Sequence, residues 1–327
     1  MQDTQSNRKP LVSFIVTYHN EPLSLLRECL DSILSLSLSS DDREILLIDD
    51  GSDESPLNEL LEYRDNIIYL RQKNSGVSAA RNKGITLSSG EYIQFVDADD
   101  CLITSGYEHS LDIVRFRAPD VVLFNFTKEG TEVDTPYLFD GPVSGSEYMH
   151  NNNLKASVCS YIFRKKTLVD LRFTEGIEYG EDEEFTPQLI LRADKVYSTD
   201  TCAYYYRDRQ DSVTNRTSKR SLIKRLNDSE HVIFYLDHLA NTLPTEECNA
   251  LHRRVAQLSM DYLYNTIMLT RSEHQLNERL ERLAKQGLFP LPKRDYTQKY
   301  KYFARMINSK TGRKILLRAL PFINHQP

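Results

Sequence analysis

Three carboxylates stand close together where an apolar segment ends, in the stretch EYIQFVDADDCL at residues 91–102. Asp97, Asp99 and Asp100 follow the apolar run directly. Carboxylate oxygens are the ligands that Mg²⁺ and Mn²⁺ prefer, and an Asp-x-Asp spacing suits two ligands of one divalent cation. A solvated surface loop is the alternative, because Asp-x-Asp triplets are common by chance.

The segments around this triplet alternate between strand and helix patterns. Apolar, β-branched runs predict strands in LVSFIVTY, REILLID, NIIYLRQK and EYIQFV. Apolar residues at helical spacing predict helices in EPLSLLRECLDSILSLS, in PLNELLEYR and from Ser75 or Gly76 to about Gly90. This alternation predicts an α/β fold with a mostly parallel sheet flanked by helices.

A parallel sheet brings the carboxyl ends of its strands to one edge, where ligands bind. The residues expected at that edge are Thr17, Asp49, Asp50, Asp97 and Asp99. Arg81 is expected nearby, on the helix before the fourth strand. Because bare carboxylates repel phosphate, this edge would suit a nucleotide diphosphate only with a divalent cation between them.

At this point five motifs carry a resemblance to a known family. SFIVTYHNE, LLIDDGSDES, NSGVSAARNKGI, YIQFVDADD and YGEDEEF occur in an order and spacing that resemble family 2 glycosyltransferases with the GT-A fold. The resemblance spans roughly residues 10–215. It implies an inverting, nucleotide-sugar-dependent hexosyltransferase of the kind that builds bacterial surface polysaccharides, with a hydroxyl of a saccharide or a lipid-linked saccharide as acceptor.

The resemblance also implies a role for each residue at the strand ends. Thr17 and Tyr18 look like positions that contact a uracil face, and Asp50 looks like the group that accepts a hydrogen bond from the base. Asp49 would support Asp50. Arg81 resembles an arginine that packs beside the base or pairs with Asp50. The alternatives are a packing role for the Tyr18 ring and a solvated helix face for Arg81.

A divalent cation, Mn²⁺ or Mg²⁺, is the cofactor that the resemblance implies. Asp97 would reach the ribose or the metal, and Asp99 would hold the metal against the diphosphate. Asp100 would cap the following turn. The segment YYYRDRQDSVTN resembles one that closes over the donor, so Arg207 or Arg209 would neutralise diphosphate oxygens, with an ordinary surface position as the alternative.

The stretch EDEEFTPQLILRA predicts a helix with an acidic first turn. Glu183 and Glu184 are expected there simply because carboxylates are favourable at a helix N-terminus. In the family, the Asp of a Glu-Asp pair removes the proton from the acceptor hydroxyl. The resemblance therefore implies Asp182 as the base and Glu181 as its support. The chain contains no Trp and so lacks the Gln-x-x-Arg-Trp signature of processive relatives, which favours addition of single residues.

Composition and charge exclude several classes of protein. The net charge of −6 argues against a nucleic-acid partner. The sequence shows no apolar signal core and no transmembrane run, so we expect a soluble chain or one attached to a membrane surface. The five cysteines show no CxxC pair, which argues against a zinc site and favours a reducing cytoplasm.

After about residue 215, the sequence pattern changes from alternating strands and helices to helices alone. We predict a glycosyltransferase domain over residues 1–215, with a nucleotide-sugar half at about 10–105 and an acceptor half at 106–215, and an α-helical region over 216–327. The tail at 296–323 is basic and amphipathic. It predicts peripheral contact with the inner face of the cell membrane, with a solvated helix or an oligomer contact as alternatives.

Two rival functions stay open from the sequence. A sugar-phosphate nucleotidyltransferase usually has a Gly-rich phosphate loop after its first strand, and TYHNEPLS contains no glycine. A catalytically silent carbohydrate-binding GT-A domain would lose the metal and base carboxylates, whereas this chain keeps a residue for each role. Glycosyl transfer is therefore favoured.

Overall fold

The fold is described from a computed structural model that places residues 9–129, 137–209, 218–294 and 297–323. The chain forms two compact units. The first comprises Met1–Tyr148, Lys155–Ile177 and Glu181–Ser212, and the second Met149–Leu154, Glu178–Gly180 and Val213–Pro327. Residues 215 and 216 lie outside the described ranges, so the boundary expected between them stays a prediction.

A single mixed sheet lies at the centre of the first unit. Its strands are β1 (Val12–Tyr18), β2 (Arg43–Asp49), β3 (Ile68–Arg71), β4 (Tyr92–Asp97), β5 (Cys101–Leu102), β6 (Val121–Thr127), β7 (Phe139–Val143), β8 (Tyr161–Arg164) and β9 (Val196–Tyr205). Their order across the sheet is β3-β2-β1-β4-β8-β6-β9-β5, and β7 pairs with β9.

The first four strands run parallel, as the strand and helix alternation predicts. In the register, Tyr18 lies beside Asp49, and Thr17 lies beside Asp97. The middle of β1 is fully buried, which is typical of a parallel strand covered on both faces. The carboxyl ends of β1, β2 and β4 therefore meet at one edge, and the predicted gathering of polar residues is confirmed.

The rest of the sheet is mixed. Strand β8 runs antiparallel to both β4 and β6, and β9 runs parallel to β6 but antiparallel to β5 and β7. The connection from β7 to β8 contains the helix Gly145–Asn151, and the connection from β8 to β9 contains the helix Glu181–Leu191. The α/β class is confirmed, and its parallel part consists mainly of the half expected to bind the nucleotide sugar.

Helices cover the sheet and carry part of the site. They are α1 (Leu23–Leu34), α2 (Val77–Leu87), α3 (Thr104–Arg117), α4 (Gly145–Asn151) and α5 (Glu181–Leu191). The helix predicted in PLNELLEYR is wrong, because the structure has 3₁₀ turns at Pro56–Glu59 and Leu61–Tyr63 instead. Leu60 and Tyr63 are buried, whereas Leu57 and Leu61 are 44% and 63% exposed, so only part of the apolar pattern packs against the unit.

The second unit is helical, as predicted for the C-terminal region. Its helices are α6 (Lys219–Ala240), α7 (Thr245–Thr270), α8 (Glu273–Lys285), α9 (Gln298–Ile307) and α10 (Lys310–Ile323). Ser218 caps α6 and Ser272 caps α8. Leu236, Leu263 and Leu283 are fully buried in its core. Within the described ranges, none of the helices combines the length and apolar character needed to span a bilayer.

Candidate active site

The acidic edge of the sheet is formed by residues at the ends of β1 and β4 and just after them. Thr17 Oγ1 donates a hydrogen bond of 3.3 Å to Asp97 Oδ1, which fixes one side of the Asp97 carboxylate. The side chains of Asp97 and Asp99 are 34% and 24% exposed, so both remain accessible to a ligand. Asp97 and Asp99, the two predicted metal ligands, therefore both lie partly exposed at the acidic edge.

The electrostatics of this edge are strongly acidic. Burial raises the pKa of Asp99, and the neighbouring Asp97 carboxylate raises it further, although Arg209 lowers it. Burial also raises the pKa of Glu21 to about 7, with Asp99 and Asp97 adding to the rise against backbone hydrogen bonds that lower it. Partly desolvated carboxylates that repel one another fit the binding of a divalent cation.

The protein alone does not build a complete metal cage here. Among the described residues, no group of three His, Cys, Asp or Glu side chains is arranged to hold an ion. A catalytic Mg²⁺ is usually bound through one or two carboxylates plus water and substrate phosphates, and a two-carboxylate donor set meets that requirement. Asp97 and Asp99 thus fit a cation that is shared with a bound diphosphate.

Asp50 organises the loop between β3 and α2. Its Oδ1 accepts hydrogen bonds from Gln72 Nε2 at 2.8 Å and from the Ser75 amide at 2.9 Å, and its Oδ2 accepts one from the Gly76 amide at 2.7 Å. A carboxylate can accept about four hydrogen bonds. Asp50 therefore has the capacity for about one further hydrogen bond, although the residue is only 5% exposed.

Asp49 and Tyr18 are more buried than a direct contact with the donor requires. Asp49 is 0% exposed, and it accepts hydrogen bonds from the Ser52 amide and the Tyr69 hydroxyl. This geometry agrees with a supporting role for Asp49. Tyr18 is 5% exposed, and its hydroxyl donates to the Glu21 carbonyl. The burial favours the packing alternative for the Tyr18 ring over contact with a uracil face.

Arg81 joins the two acidic parts of the site. Its Nη1 donates to Asp182 Oδ1 at 2.8 Å and to Glu181 Oε1 at 3.1 Å, and its Nη2 donates to Asp97 Oδ1 at 3.2 Å. The expected pairing of Arg81 with Asp50 is therefore wrong. The physical reason is that Arg81 faces the end of β4 and the start of α5, where it meets Asp97 and Asp182.

Aromatic rings help to enclose the Arg81 guanidinium, which is 4% exposed. Its central carbon lies 5.4 Å from the ring centroid of Phe173 and 6.0 Å from that of Phe95. Phe173 in turn stacks on Phe185 of α5 with the centroids 3.9 Å apart. These rings limit the movement of the guanidinium and keep solvent away from it, which strengthens its electrostatic interactions.

Asp182 has the properties of a general base. Burial raises the pKa of Asp182 to about 7, with Glu181 adding to the rise and the positive charge of Arg81 opposing it. Its Oδ2 accepts a hydrogen bond from the Val158 amide at 3.1 Å, and the side chain is still 21% exposed. A positioned, accessible carboxyl with a pKa near neutral can remove a proton from a hydroxyl group.

The segment after β9 contacts the acidic edge through two arginines. Arg209 Nη1 lies 3.2 Å from Asp99 Oδ2, whereas Arg207 Nη2 pairs with Glu28 at 2.6 Å and its Nε donates to the Asp99 carbonyl. Both predicted arginines thus lie beside the predicted metal ligands. The rest of that segment, residues 210–215, lies outside the described ranges.

Asp100 does not cap the turn after β4, so this expectation is wrong. It is 1% exposed, and it accepts hydrogen bonds from the Tyr204 hydroxyl at 2.7 Å and the Arg207 amide at 2.8 Å. Burial and the nearby Asp97 raise the pKa of Asp100 to about 8. Asp100 therefore anchors the end of β9 to the acidic edge.

Sequence reasoning did not select Glu21, which is electrostatically coupled to both predicted metal ligands. The available signal was its position in TYHNEP, directly after a strand whose carboxyl end lies at the binding edge.

Sequence comparison identifies relatives of this chain. The family model described as Glycosyl transferase family 2 matches residues 13–168. The uncharacterized glycosyltransferase EpsJ of Bacillus subtilis (strain 168) is 31% identical over 233 residues, which make up 66% of this chain and 67% of EpsJ.

Solved structures share the fold at low sequence identity. S. aureus TarS has a TM-score of 0.65 at 18% identity, over 93% of this chain and 54% of that chain. TarS 1–349 in complex with UDP-GlcNAc has a TM-score of 0.55 at 17% identity, over 91% of this chain and 90% of that chain. The mannosyltransferase PcManGT from Pyrobaculum calidifontis, in complex with GDP-Man and Mn²⁺, has a TM-score of 0.55 at 17% identity. The match covers 94% of this chain and 83% of the PcManGT chain. The chain thus spans about two thirds of EpsJ and about half of the longer TarS structure.

Proposed function

Since this chain belongs to the family 2 glycosyltransferases, we propose that it transfers a sugar from a UDP-sugar to a hydroxyl group with inversion at the anomeric carbon. The acceptor is a saccharide or a lipid-linked saccharide of a bacterial surface polysaccharide. The observation that carries the proposal is the Arg81 guanidinium, which holds Asp97 on the donor side and Asp182 on the acceptor side within one cluster of ion pairs.

The nucleotide is proposed to bind at the carboxyl ends of β1 and β2. Asp50 keeps the capacity for one more hydrogen bond, which a uracil N–H would use. Thr17 lies at the same edge and borders this position. A UDP-linked donor is supported by the fold shared with TarS, which is known in complex with UDP-GlcNAc.

A divalent cation, Mn²⁺ or Mg²⁺, is proposed to bind at Asp99 and Asp97. When bound, it supplies positive charge that stabilises the diphosphate leaving group. Arg209 lies 3.2 Å from Asp99 and is proposed to contribute a second positive charge to the same oxygens. Arg207 pairs with Glu28 and holds the Asp99 backbone carbonyl, so it is proposed to position the segment rather than to contact the diphosphate.

The proton transfer is assigned to Asp182. Its carboxylate accepts the proton of the acceptor hydroxyl while that oxygen attacks the anomeric carbon on the face opposite the nucleoside diphosphate. The carbon–oxygen bond to the diphosphate breaks as the new glycosidic bond forms, so the configuration inverts. Glu181 and the Val158 amide hold Asp182 in place, the first through Arg81 and the second directly.

The rival functions fit the geometry less well. Asp182 is 21% exposed and its pKa is raised to about 7. A carboxyl with a raised pKa lowers the stability of the folded protein near neutral pH, and a catalytically silent carbohydrate-binding domain would gain nothing from it. In a nucleotidyltransferase reaction, the sugar phosphate attacks a phosphorus atom of the nucleotide rather than a sugar carbon. That reaction would need no base at the start of α5 to deprotonate a hydroxyl group.

We also propose a cytoplasmic location with peripheral contact to the inner face of the cell membrane. Cys29, Cys101, Cys159, Cys202 and Cys248 are free thiols, which supports a reducing compartment. The membrane contact is proposed through the segment 296–323, of which the structure describes residues 297–323.

The experiment that tests the function compares wild type with Asp182→Asn. Each is incubated with a panel of nucleotide sugars, with and without Mn²⁺, and scored for thermal stabilisation and for transfer or slow hydrolysis. UDP-sugars are expected to stabilise both proteins in the presence of metal, whereas the variant loses about 10²–10⁴-fold in transfer rate. Unchanged turnover in Asp182→Asn would place the base elsewhere.

A further inference from the structure

The C-terminal helices α9 and α10 carry an unusual excess of positive charge. Residues 297–323 contain Lys299, Lys301, Arg305, Lys310, Arg313, Lys314 and Arg318, and no acidic residue. The chain as a whole has a net charge of −6, so this basic segment opposes the overall balance. A basic cluster on an acidic protein indicates a local anionic partner.

The structure assigns part of this charge to one side of α10. Lys310, Lys314 and Arg318 recur at intervals of four residues and are exposed, and Ile315 beside them is 50% exposed. Leu316 faces the opposite way and is 5% exposed. We call Lys310, Lys314, Ile315 and Arg318 the basic face of α10.

A small cavity opens beside the basic face, within the second unit. It has a volume of about 160 Å³, and its lining includes Leu276, Leu317, Lys310, Arg313 and Lys314. Glu273 also contributes to the lining. Even so, no carboxylate in the described part of the chain lies within 4.0 Å of the ammonium groups of Lys310 or Lys314. The cavity thus combines apolar walls with basic groups that have no acidic partner at ion-pair distance.

We propose that the basic face lies on an anionic lipid bilayer and that the cavity receives a lipid headgroup phosphate between Lys310, Arg313 and Lys314. Ile315 enters the boundary between headgroups and acyl chains, where a partly exposed apolar side chain gains burial. The proposal deepens the proposed function, because it rests on the membrane contact expected for this segment and names the groups that make it.

The test is co-sedimentation with phosphatidylcholine vesicles that either contain or lack phosphatidylglycerol. The test variant is Lys310→Gln/Lys314→Gln/Arg318→Gln. The control variant is Lys219→Gln/Arg220→Gln/Lys285→Gln, which removes the same charge from exposed positions on α6 and α8. Each basic residue near an anionic surface contributes a factor of roughly five in binding, so the test variant should bind roughly 100-fold more weakly.

The expected result is binding of wild type and control to anionic vesicles only, with loss of binding at high salt. Addition of soluble glycerophosphate separates a headgroup site from a diffuse attraction, because occupation of the cavity should weaken vesicle binding at constant ionic strength. No competition would overturn the headgroup site. Equal weakening of the test and control variants would overturn the role of the basic face.

Two further measurements keep the proposal separate from its rivals. Analytical ultracentrifugation without lipid reports self-association, and a dimer that is lost only in the test variant would assign the basic face to a second copy of the chain instead. Donor hydrolysis without vesicles should be unchanged in the test variant. Failure of vesicle binding with intact hydrolysis would overturn only the membrane contact, whereas absent hydrolysis in wild type would count against the proposed function.

Discussion

Replacing Arg81 with Met should destabilise the protein in a pH-dependent way. Arg81 is 4% exposed and donates hydrogen bonds of 2.8, 3.1 and 3.2 Å to three carboxylates. Methionine preserves much of the apolar volume of the side chain but none of its charge. Asp182, Glu181 and Asp97 would then face one another without a cation, close to the rings that now enclose the guanidinium.

The size of the effect follows from the burial of these groups. Removing one partner of a buried ion pair costs about 3–5 kcal/mol, because an uncompensated charge remains. Here the carboxylates are 15–34% exposed and solvent screens their charges, so we expect the low end, about 3 kcal/mol near pH 8. With about 2–4 °C per kcal/mol for a domain of this size, the apparent melting temperature should fall by roughly 6–12 °C.

The sign of the pH dependence distinguishes charge from packing. Burial already raises the pKa of Asp182 to about 7, and Arg81 opposes that rise, so its removal moves the pKa of Asp182 higher still. A carboxyl with a folded pKa above its unfolded value of about 4 contributes stability below that value and loses it as the pH rises through the folded pKa. The penalty of Arg81→Met should therefore be small near pH 5 and larger near pH 8, and it becomes complete only above the raised pKa of Asp182 in the variant.

Circular dichroism melts at both pH values provide the measurement, with Arg27→Met as the matched control. Arg27 is 41% exposed and pairs with Glu62 at 3.2 Å, so its loss should cost under about 1 kcal/mol at either pH. If Arg81→Met loses no more stability than Arg27→Met near pH 8, Arg81 does not compensate the carboxylates. An equal loss at both pH values would mean that packing, rather than charge, explains the effect.

The remaining predictions concern activity. The kcat/KM for transfer should rise with pH through an apparent pKa near 7, because Asp182 must be deprotonated to act as the base, and a rate that is flat between about pH 5 and 8 would contradict this assignment. Asp99→Asn should raise the Mn²⁺ concentration needed for half-maximal donor hydrolysis by about 10-fold or more, measured against Asp112→Asn on the partly exposed side of α3, which should leave it unchanged.

The sequence predicted which strand ends meet, because a parallel sheet leaves little freedom in their arrangement. Once apolar runs alternate with helices, the carboxyl ends of β1, β2 and β4 must meet at one edge, and Thr17, Asp50 and Asp97 do so. The strand and helix pattern did not predict which carboxylates pair with Arg81. Several carboxylates compete for one guanidinium, and the choice depends on α5, which lies 100 residues further along the chain.

The failed helix at Pro56–Tyr63 and the misassigned Asp100 have a common physical cause. The local sequence pattern indicates residue spacing and turn propensity, but it does not indicate which distant residues will contact a given side chain. Leu57 and Leu61 have helical spacing, yet both are exposed, whereas Leu60 between them is buried. Asp100 has the composition of a turn cap, yet the Tyr204 hydroxyl and Arg207 amide, more than 100 residues away, determine its position.

The net charge of the site favours the binding of a divalent cation together with the diphosphate donor. Six carboxylates of the described residues lie there, namely Glu21, Asp97, Asp99, Asp100, Glu181 and Asp182, with the three cations Arg81, Arg207 and Arg209. Six negative minus three positive groups leave three negative charges when all are ionised, which would repel a nucleoside diphosphate. Two more positive charges from one divalent ion nearly balance the site. Because Arg81 is committed to Asp182 and Glu181 as well as to Asp97, it cannot replace that ion at the diphosphate. We therefore expect donor binding at the proposed site to depend on a divalent cation, while Arg81 holds the proposed base Asp182.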